Sequence, residues 1–213
     1  MNLHTIIIIM TNVLFSMRGF KDYTFFEKYK FNINAILNGD IKRYISSGFL
    51  HADLQHLLFN MVTLYFFANI VIFQLGAFNF YLLYIISLLS GNILSFYFNK
   101  KQLYYSAVGA SGAVTGIVYA AILLNPGMQM YIYFIPIPIP SYIVGVGYLV
   151  YSIYGMKTKF NNIGHDAHFG GAVGGYLMTL ILMPSIIEYQ FGMVLLLAIP
   201  FVLLVFLKLQ GKI

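Results

Sequence analysis

The sequence predicts an all-α protein, a polytopic helical bundle embedded in a membrane. Of the 213 residues, 60% are hydrophobic and only 8% are charged, and the apolar residues are gathered in seven long runs. A soluble domain needs more charge than this to cover its surface, so lipid is the expected solvent. Because no water reaches the hydrocarbon core, each segment must close its own backbone hydrogen bonds, which favours helices.

Each of the seven runs is about long enough to cross a bilayer, since a spanning helix needs about 20 apolar residues. The break between the second and third runs is placed at Gly76 and Asn79. A helix cannot extend through the alternating prolines Pro136, Pro138 and Pro140, so the fifth span is predicted to begin at Pro140. The predicted spans are residues 3–17, 54–76, 77–98, 108–125, 140–156, 165–184 and 191–207.

The one long polar stretch, residues 18–53, is rich in both basic and aromatic residues. Such a segment is expected to lie along the membrane interface, where amphipathic rings settle. The first apolar run lacks a basic segment before it and a small-residue cleavage site after it, so we expect it to remain as a span. The predicted organisation is a core over residues 1–184, with 18–53 as its interfacial loop, and an extra transmembrane helix in residues 185–213.

Composition also excludes several kinds of function. The chain has no cysteine, which excludes disulfides, thiolate catalysis and Cys-ligated metals. Its formal net charge is +6, but the basic residues are scattered between apolar runs, so no nucleic-acid partner is expected. If the chain crosses the membrane seven times, every Lys and Arg, including Lys159, lies on the same side. The positive-inside rule would place that side in the cytoplasm.

Polar residues are costly at membrane depth and are therefore functional candidates. They form three clusters, which begin the second, fourth and sixth spans. The clusters contain His51, His56 and Asn60; Gly109, Ser111 and Gly112; and His165, Asp166 and His168. Because these three spans run in the same direction, the clusters lie at similar depth on the same side of the membrane.

Two of these spans also carry an arc of small residues. At 100° per residue, one arc contains Ser111, Gly112, Thr115 and Gly116, and the other contains His168, Gly171, Ala172 and Gly175. Small faces let two helix backbones approach closely. If the arcs meet, Ser111 and His168 come within hydrogen-bond reach, and a neighbouring base is what makes a serine hydroxyl nucleophilic.

The sequence resembles the rhomboid family of intramembrane serine proteases in three motifs. These are Gly109-Ala-Ser-Gly112, the set His51, His56 and Asn60, and the run Ala167-His-Phe-Gly-Gly-Ala-Val-Gly-Gly175. The segment from Asp40 to His51 also resembles the family's first-loop signature. The resemblance implies a six-helix core, followed here by a C-terminal seventh helix.

By this resemblance, Ser111 is the nucleophile and His168 the general base, with no third member because Asp166 is expected to face away. The Ser111 N–H, His56 and Asn60 are expected to stabilise the oxyanion, beside Gly109 and Gly112. A helix N-terminus favours such developing negative charge. Helix packing is assigned to the glycines of the two small arcs: Gly116, Gly171 and Gly175.

The resemblance further implies cleavage of single-span membrane proteins within the lipid, without a metal or cofactor. It predicts a multi-pass protein of a bacterial inner membrane, with the active site facing away from the cytoplasm, although the charge bias favours the opposite orientation. Two positions depart from the family pattern. Thr115 stands where the family has an aromatic residue that stacks on the histidine, and Lys42 precedes Arg43 where it has tryptophan.

Five alternatives have less support. A zinc protease would need an HExxH motif, which is missing. An aspartyl intramembrane protease would need paired aspartates within spans, whereas Asp53 and Asp166 both sit at span ends. A metal site could use His56 with the histidines and aspartate of the third cluster. A transporter should show internal repeats, and none is evident. The remaining alternative is a non-catalytic rhomboid-like protein that binds membrane segments, although such proteins typically lose the serine or the histidine.

Overall fold

The structure, a computed structural model, describes residues 2–131, 137–158 and 163–213. Its helices are α1 Leu3–Lys21, α2 Tyr23–Tyr29, α3 Ile33–Leu37, α4 Arg43–Ser46, α5 Leu54–Asn99, α6 Ser111–Leu124, α7 Ser141–Thr158, α8 His165–Leu182, α9 Ser185–Tyr189 and α10 Phe191–Leu209. A single 3-10 turn, Ser47–Phe49, follows α4. Two short antiparallel pairs join β1 Phe31–Asn32 to β2 Ser106–Ala107, and β3 Gln129–Met130 to β4 Ile139–Pro140.

The predicted all-α membrane bundle is confirmed. Within the described residues, α1, α5 and α10 are long and apolar enough to span a bilayer, and α6 is a shorter apolar helix. The 46-residue α5 is broken at Gly76, whose φ of 82° and ψ of 165° are not helical, and this is the predicted boundary between two spans. Helices α7 and α8 are 18 residues each. Their glycines and polar side chains keep their hydropathy below that of the other spans.

The core lies where α5, α6 and α8 pack together, and glycines determine how closely they approach. A Cβ at Gly91 of α5 would lie 2.5 Å from the Ala167 carbonyl oxygen of α8 and 3.5 Å from the Gly112 Cα of α6. One backbone position therefore touches both neighbouring helices. Close backbone approach of this kind is the usual means of helix packing in membranes.

The 18–53 stretch folds as short helices held by side chains. The Arg43 guanidinium donates to the carbonyls of Glu27 and Lys30, at 2.8 and 2.7 Å, and to the Asp40 carboxylate at 2.8 Å. That contact with Arg43 lowers the pKa of the Asp40 carboxyl below its usual value. Arg43 therefore anchors this loop by binding its backbone carbonyls.

Several helix boundaries differ from the sequence prediction by a few residues, and two of these differences have a clear physical reason. Helix α1 continues to Lys21 rather than residue 17, because amphipathic residues at its end can stay helical at the membrane surface. Helix α7 begins at Ser141 rather than Pro140, because Pro140 belongs to β4 and lies opposite Gln129. Pro136 and Lys159, which entered the sequence argument, lie outside the described residues.

Candidate active site

A cavity of about 1360 Å³ opens between α5, α6, α7 and α8. Its wall contains five of the predicted site residues together: Ser111, His168, His56, Asn60 and Gly109. The rest of the wall combines polar side chains, such as those of Asn92, Asn99 and Asp166, with apolar side chains of α5, α6 and α7. The clusters at the starts of three separate spans therefore converge on one site, as their common depth predicts.

Ser111 is the first residue of α6, two residues after a glycine in an unusual conformation. Gly109 has a φ of 133°, which L-residues rarely adopt. A Cβ there would lie 2.7 Å from Cε1 of the His56 ring and 3.6 Å from Oγ of Ser111. Glycine is thus needed both for the turn and for space, and it allows His56 and the serine hydroxyl to approach the same point.

The two small arcs meet, as the spacing of their residues predicts. A Cβ at Gly171 of α8 would overlap the Gly112 carbonyl of α6, and one at Gly175 would overlap the Gly116 carbonyl. The overlapping atoms are backbone, which cannot rotate away. The glycines therefore set the distance between α6 and α8 and bring the first turns of both helices to the same cavity.

His168 is held by a residue of α7. The rings of Tyr148 and His168 are stacked, with centroids 5.9 Å apart and planes 27° apart, and the Tyr148 hydroxyl lies 2.6 Å from Nδ1 of His168. The aromatic partner that Thr115 fails to provide from α6 is therefore supplied by another helix. Thr115 instead donates to the Ser111 carbonyl at 2.7 Å.

His51 holds the loop that precedes Ser111. Its Nε2 accepts from the Ala110 N–H at 3.4 Å, and its Nδ1 lies 2.9 Å from the Ser16 hydroxyl of α1. Burial, together with the neighbouring His56, lowers the pKa of His51 to about 3. His51 is thus a neutral group that holds this loop in place.

The structure places Asn60 in the cavity wall and His165 against α7. The Asn60 amide donates to the His56 carbonyl of its own helix at 3.1 Å while it lines the cavity. His165 packs against Gly155 of α7, where a Cβ would overlap the imidazole ring. An oxyanion role for His56 and Asn60 stays a prediction, as does a direct hydrogen bond between Ser111 and His168.

Asp166 faces α5. Its carboxylate accepts from the amide of Asn99 and, at 3.3 Å, from the hydroxyl of Ser95. It therefore anchors the start of α8 on α5, while His168 contacts Tyr148 on α7. No three His, Asp or Glu side chains in the described part of the chain converge as metal ligands, so the metal-site alternative gains no support.

Sequence reasoning missed Tyr148 and the partners of Asp166. A hydroxyl within a span was the available signal for Tyr148. However, the chain has 18 tyrosines, so this signal selects none of them. The rotation of α7 that brings Tyr148 to His168 comes from packing against α8, which local sequence does not specify.

Comparison with known proteins identifies the family. Residues 38–185 match the family model described as the Rhomboid domain. The chain is 27% identical over 160 residues to Rhomboid protein 1, mitochondrial, of Saccharomyces cerevisiae, an alignment that covers 74% of this chain and 46% of that protein. It is 27% identical over 184 residues to RHOMBOID-like protein 12, mitochondrial, of Arabidopsis thaliana, covering 78% of this chain and 54% of that protein.

A bacterial relative carries a name that includes an activity. The chain is 28% identical over 152 residues to Rhomboid protease GluP of Bacillus subtilis, covering 70% of this chain and 27% of that protein. The chain thus spans about half the length, or less, of these relatives. Since the family model matches well over half of the chain, and the predicted helical membrane bundle is present, this integral membrane protein belongs to the rhomboid family.

Proposed function

We propose that this protein is an intramembrane serine endopeptidase that hydrolyses a peptide bond in or near a transmembrane segment of a single-span membrane protein. The observation that carries the proposal is the close packing of α6 on α8 through Gly112 and Gly171. This packing brings Ser111 and His168 to the wall of one cavity in the membrane. The protease named among its relatives, GluP, supports the same reaction class.

In the proposed reaction, Oγ of Ser111 attacks the scissile carbonyl carbon while Nε2 of His168 takes the hydroxyl proton. The resulting oxyanion is stabilised by the Ser111 N–H and by His56, whose ring lies beside Gly109. His168 then gives its proton to the leaving amine, which breaks the peptide bond and leaves an acyl-enzyme. Water activated by His168 releases the acyl group and restores the serine.

The family implies a substrate with small residues at the cut and a locally weakened helix. Such a segment exposes its peptide carbonyls in a way that a regular transmembrane helix does not. The bacterial inner membrane remains our predicted location. The relatives come from mitochondria and plants as well as Bacillus, and so do not select it.

A fluorophosphonate probe and a cleavable substrate test the proposal. Purified wild-type protein should be labelled at Ser111 and should cut a model single-span substrate at a mapped bond. Ser111→Ala should abolish labelling, and Ser111→Ala and His168→Ala should each lower the cleavage rate by at least about a thousandfold, as for other serine hydrolases.

Thermal unfolding of each variant provides the control, since both substitutions should leave the fold intact. Binding of the substrate without labelling or cleavage by the wild type would contradict the proposal. That result would instead favour the alternative function, a non-catalytic protein that binds membrane segments.

A further inference from the structure

The seventh helix, α10, lies beside α7, the helix that carries Tyr148 to His168. Two contacts of Tyr176 fix α10 on α8. The Tyr176 hydroxyl donates to the Val194 carbonyl at 2.9 Å, and its ring lies against Phe201, with centroids 5.1 Å apart. Helix α10 is therefore docked on the same helix that bears His168, and a helix held in this way can transmit its position to α7.

Phe201 of α10 reaches α7 through Tyr119 of α6. The centroids of these two rings are 6.1 Å apart, and Phe169 of α8 lies edge-on to Phe201 at 5.7 Å. Tyr119 is 1% exposed, and its hydroxyl donates to the Gly145 carbonyl of α7 at 2.5 Å. A buried phenol needs such a partner, and a carbonyl oxygen can accept a second hydrogen bond beside the one within its helix. Tyr119 thus connects α10 to the backbone of α7.

Glycine at position 145 makes this contact possible. A Cβ there would lie 3.0 Å from Cδ1 of Ile122 and 3.6 Å from the Tyr119 hydroxyl oxygen, so a side chain would press α7 away from α6. The group that accepts from Tyr119 is backbone, which no change of rotamer can move. The hydrogen bond therefore fixes the helix itself and not only a side chain.

Three contacts of α7 follow one side of that helix. Gly145 contacts Tyr119 of α6. Tyr148 and Tyr151 contact the two histidines in the first turn of α8. Residues at intervals of three are neighbours on a helix surface, so these contacts form one stripe. The two tyrosines hold the later part of the stripe and Gly145 holds the turn before them, so the rotation of α7 is set from both α6 and α8.

We propose that Tyr119 and Phe201 are positioning residues that give the C-terminal helix a part in the reaction. They hold α7 at the rotation where Tyr148 stacks on His168. The inference rests on the proposed function, in which His168 is the base. It extends that function to a helix outside the region that matches the family model, which ends at residue 185.

Two variants that keep an apolar side chain test the inference. Tyr119→Phe keeps the ring against Phe201 but removes the hydroxyl that donates to α7. Phe201→Leu removes the ring that packs on Tyr119, while α10 stays apolar. The matched controls are Tyr65→Phe on α5 and Phe206→Leu on α10, whose side chains are exposed on the outer surface and do not line the cavity.

The direct readout is the position of α7 relative to α8, measured between spin labels by pulsed EPR. The chain has no cysteine, so Ile143→Cys on α7 and Ile181→Cys on α8 give a single labelled pair at two exposed positions. The otherwise wild-type pair and both controls should show one narrow distance distribution. Tyr119→Phe and Phe201→Leu should each broaden it. Unchanged distributions in both variants would overturn the inference.

Kinetics give a second readout. The rate at which a small fluorophosphonate labels Ser111 depends on His168 but not on the entry of a transmembrane substrate. General-base catalysis contributes about 10²–10⁴-fold, so each variant should lower this rate and kcat by about tenfold, with KM near wild type. A raised KM with unchanged kcat would mean that Tyr119 acts by contacting substrate from the cavity wall, and would contradict a positioning role.

A double-variant comparison separates positioning of the base from general loosening of the bundle. Because Tyr119 is proposed to act through Tyr148, Tyr119→Phe should slow labelling in the wild-type background but not in a protein that already carries Tyr148→Ala. An equal loss in both backgrounds would show that the effect does not pass through Tyr148, and the inference would be wrong.

The two proposals fail differently. If wild type is labelled and cleaves its substrate, but the variants equal it in distance and in rate, the positioning inference is wrong and the protease function stands. If the variants broaden the distance distribution, yet wild type is neither labelled nor able to cleave, the connection from α10 to α7 stands and the protease function is wrong.

Discussion

The three histidines near Ser111 differ in their neighbours, and the neighbour determines what each ring can do. His168 meets a phenol, and the ring of His56 lies over Gly109. His51 accepts from a backbone N–H through Nε2, so Nδ1 carries its proton and donates to Ser16, which in turn donates to the Phe49 carbonyl at 3.1 Å. A second proton on His51 would break this chain.

Acid should therefore destabilise the protein through His51. The pKa of His51 is about 3 when folded, mainly because the ring is buried, against 6.5 for an ordinary histidine; Asp53 opposes this shift only partly. The unfolded state then binds a proton below about pH 6.5 that the folded state refuses, so the free energy of unfolding falls as pH drops from about 6.5 toward 3.

Unfolding temperatures between pH 7.5 and 4.5 would measure this effect. The loss on acidification should be smaller in His51→Asn than in wild type, since the other histidines remain in both. Parallel curves for the two proteins would show that His51 does not contribute.

At the scale of elements, the contact between α6 and α8 is made by backbone rather than by side chains. Glycines on both helices leave carbonyl oxygens where a Cβ would otherwise stand. The packing therefore has little tolerance, unlike a contact between flexible side chains. It is also the contact on which the distance between Ser111 and His168 depends.

Gly171→Ala should thus destabilise the bundle, by about 1–3 kcal/mol as for other overpacked sites. It should also lower the rate of Ser111 labelling, because α8 must move away from α6. Gly147→Ala is the matched control, since its Cβ would meet open space on α7 and alanine favours a helix. Equal unfolding temperatures in the two variants would contradict this account of the packing.

At the scale of the whole molecule, α7 forms one wall of the cavity and carries Tyr148 into it. From its glycines and the proline-rich segment before it, we predict that α7 is a lateral gate for the substrate. Thr63 of α5 and Val144 of α7 both line the cavity, on the two helices between which a substrate helix would enter.

A cross-link between these two positions should separate entry from chemistry. The chain has no cysteine, so Thr63→Cys with Val144→Cys gives a single pair for a short bis-maleimide. Cross-linking should abolish cleavage of a single-span substrate, while a small fluorophosphonate should still label Ser111 because Tyr148 stays in place. The controls are the two single-cysteine variants, each treated with the same bis-maleimide. Full cleavage by the cross-linked protein would show that α7 does not act as a lateral gate.

The relation between sequence and structure also differs with scale. Composition and run length alone predict the membrane bundle, because lipid permits few ways to satisfy a backbone. The break at Gly76 and the glycine arcs could be predicted as well, since glycine acts through local conformation and close approach. The exact ends of the helices could not be predicted, because they depend on the β-pairing at Pro140 and on the interfacial residues beyond residue 17.

By itself, the sequence determined the membrane fold, the common depth of three polar clusters and the arcs that bring Ser111 toward His168. These follow from hydropathy and helical periodicity, which are properties of single segments. Only the tertiary structure decided that Tyr148 orients His168 and that Asp166 anchors α8 on α5. The rotation of one helix against another depends on packing between distant segments, and no local pattern encodes it.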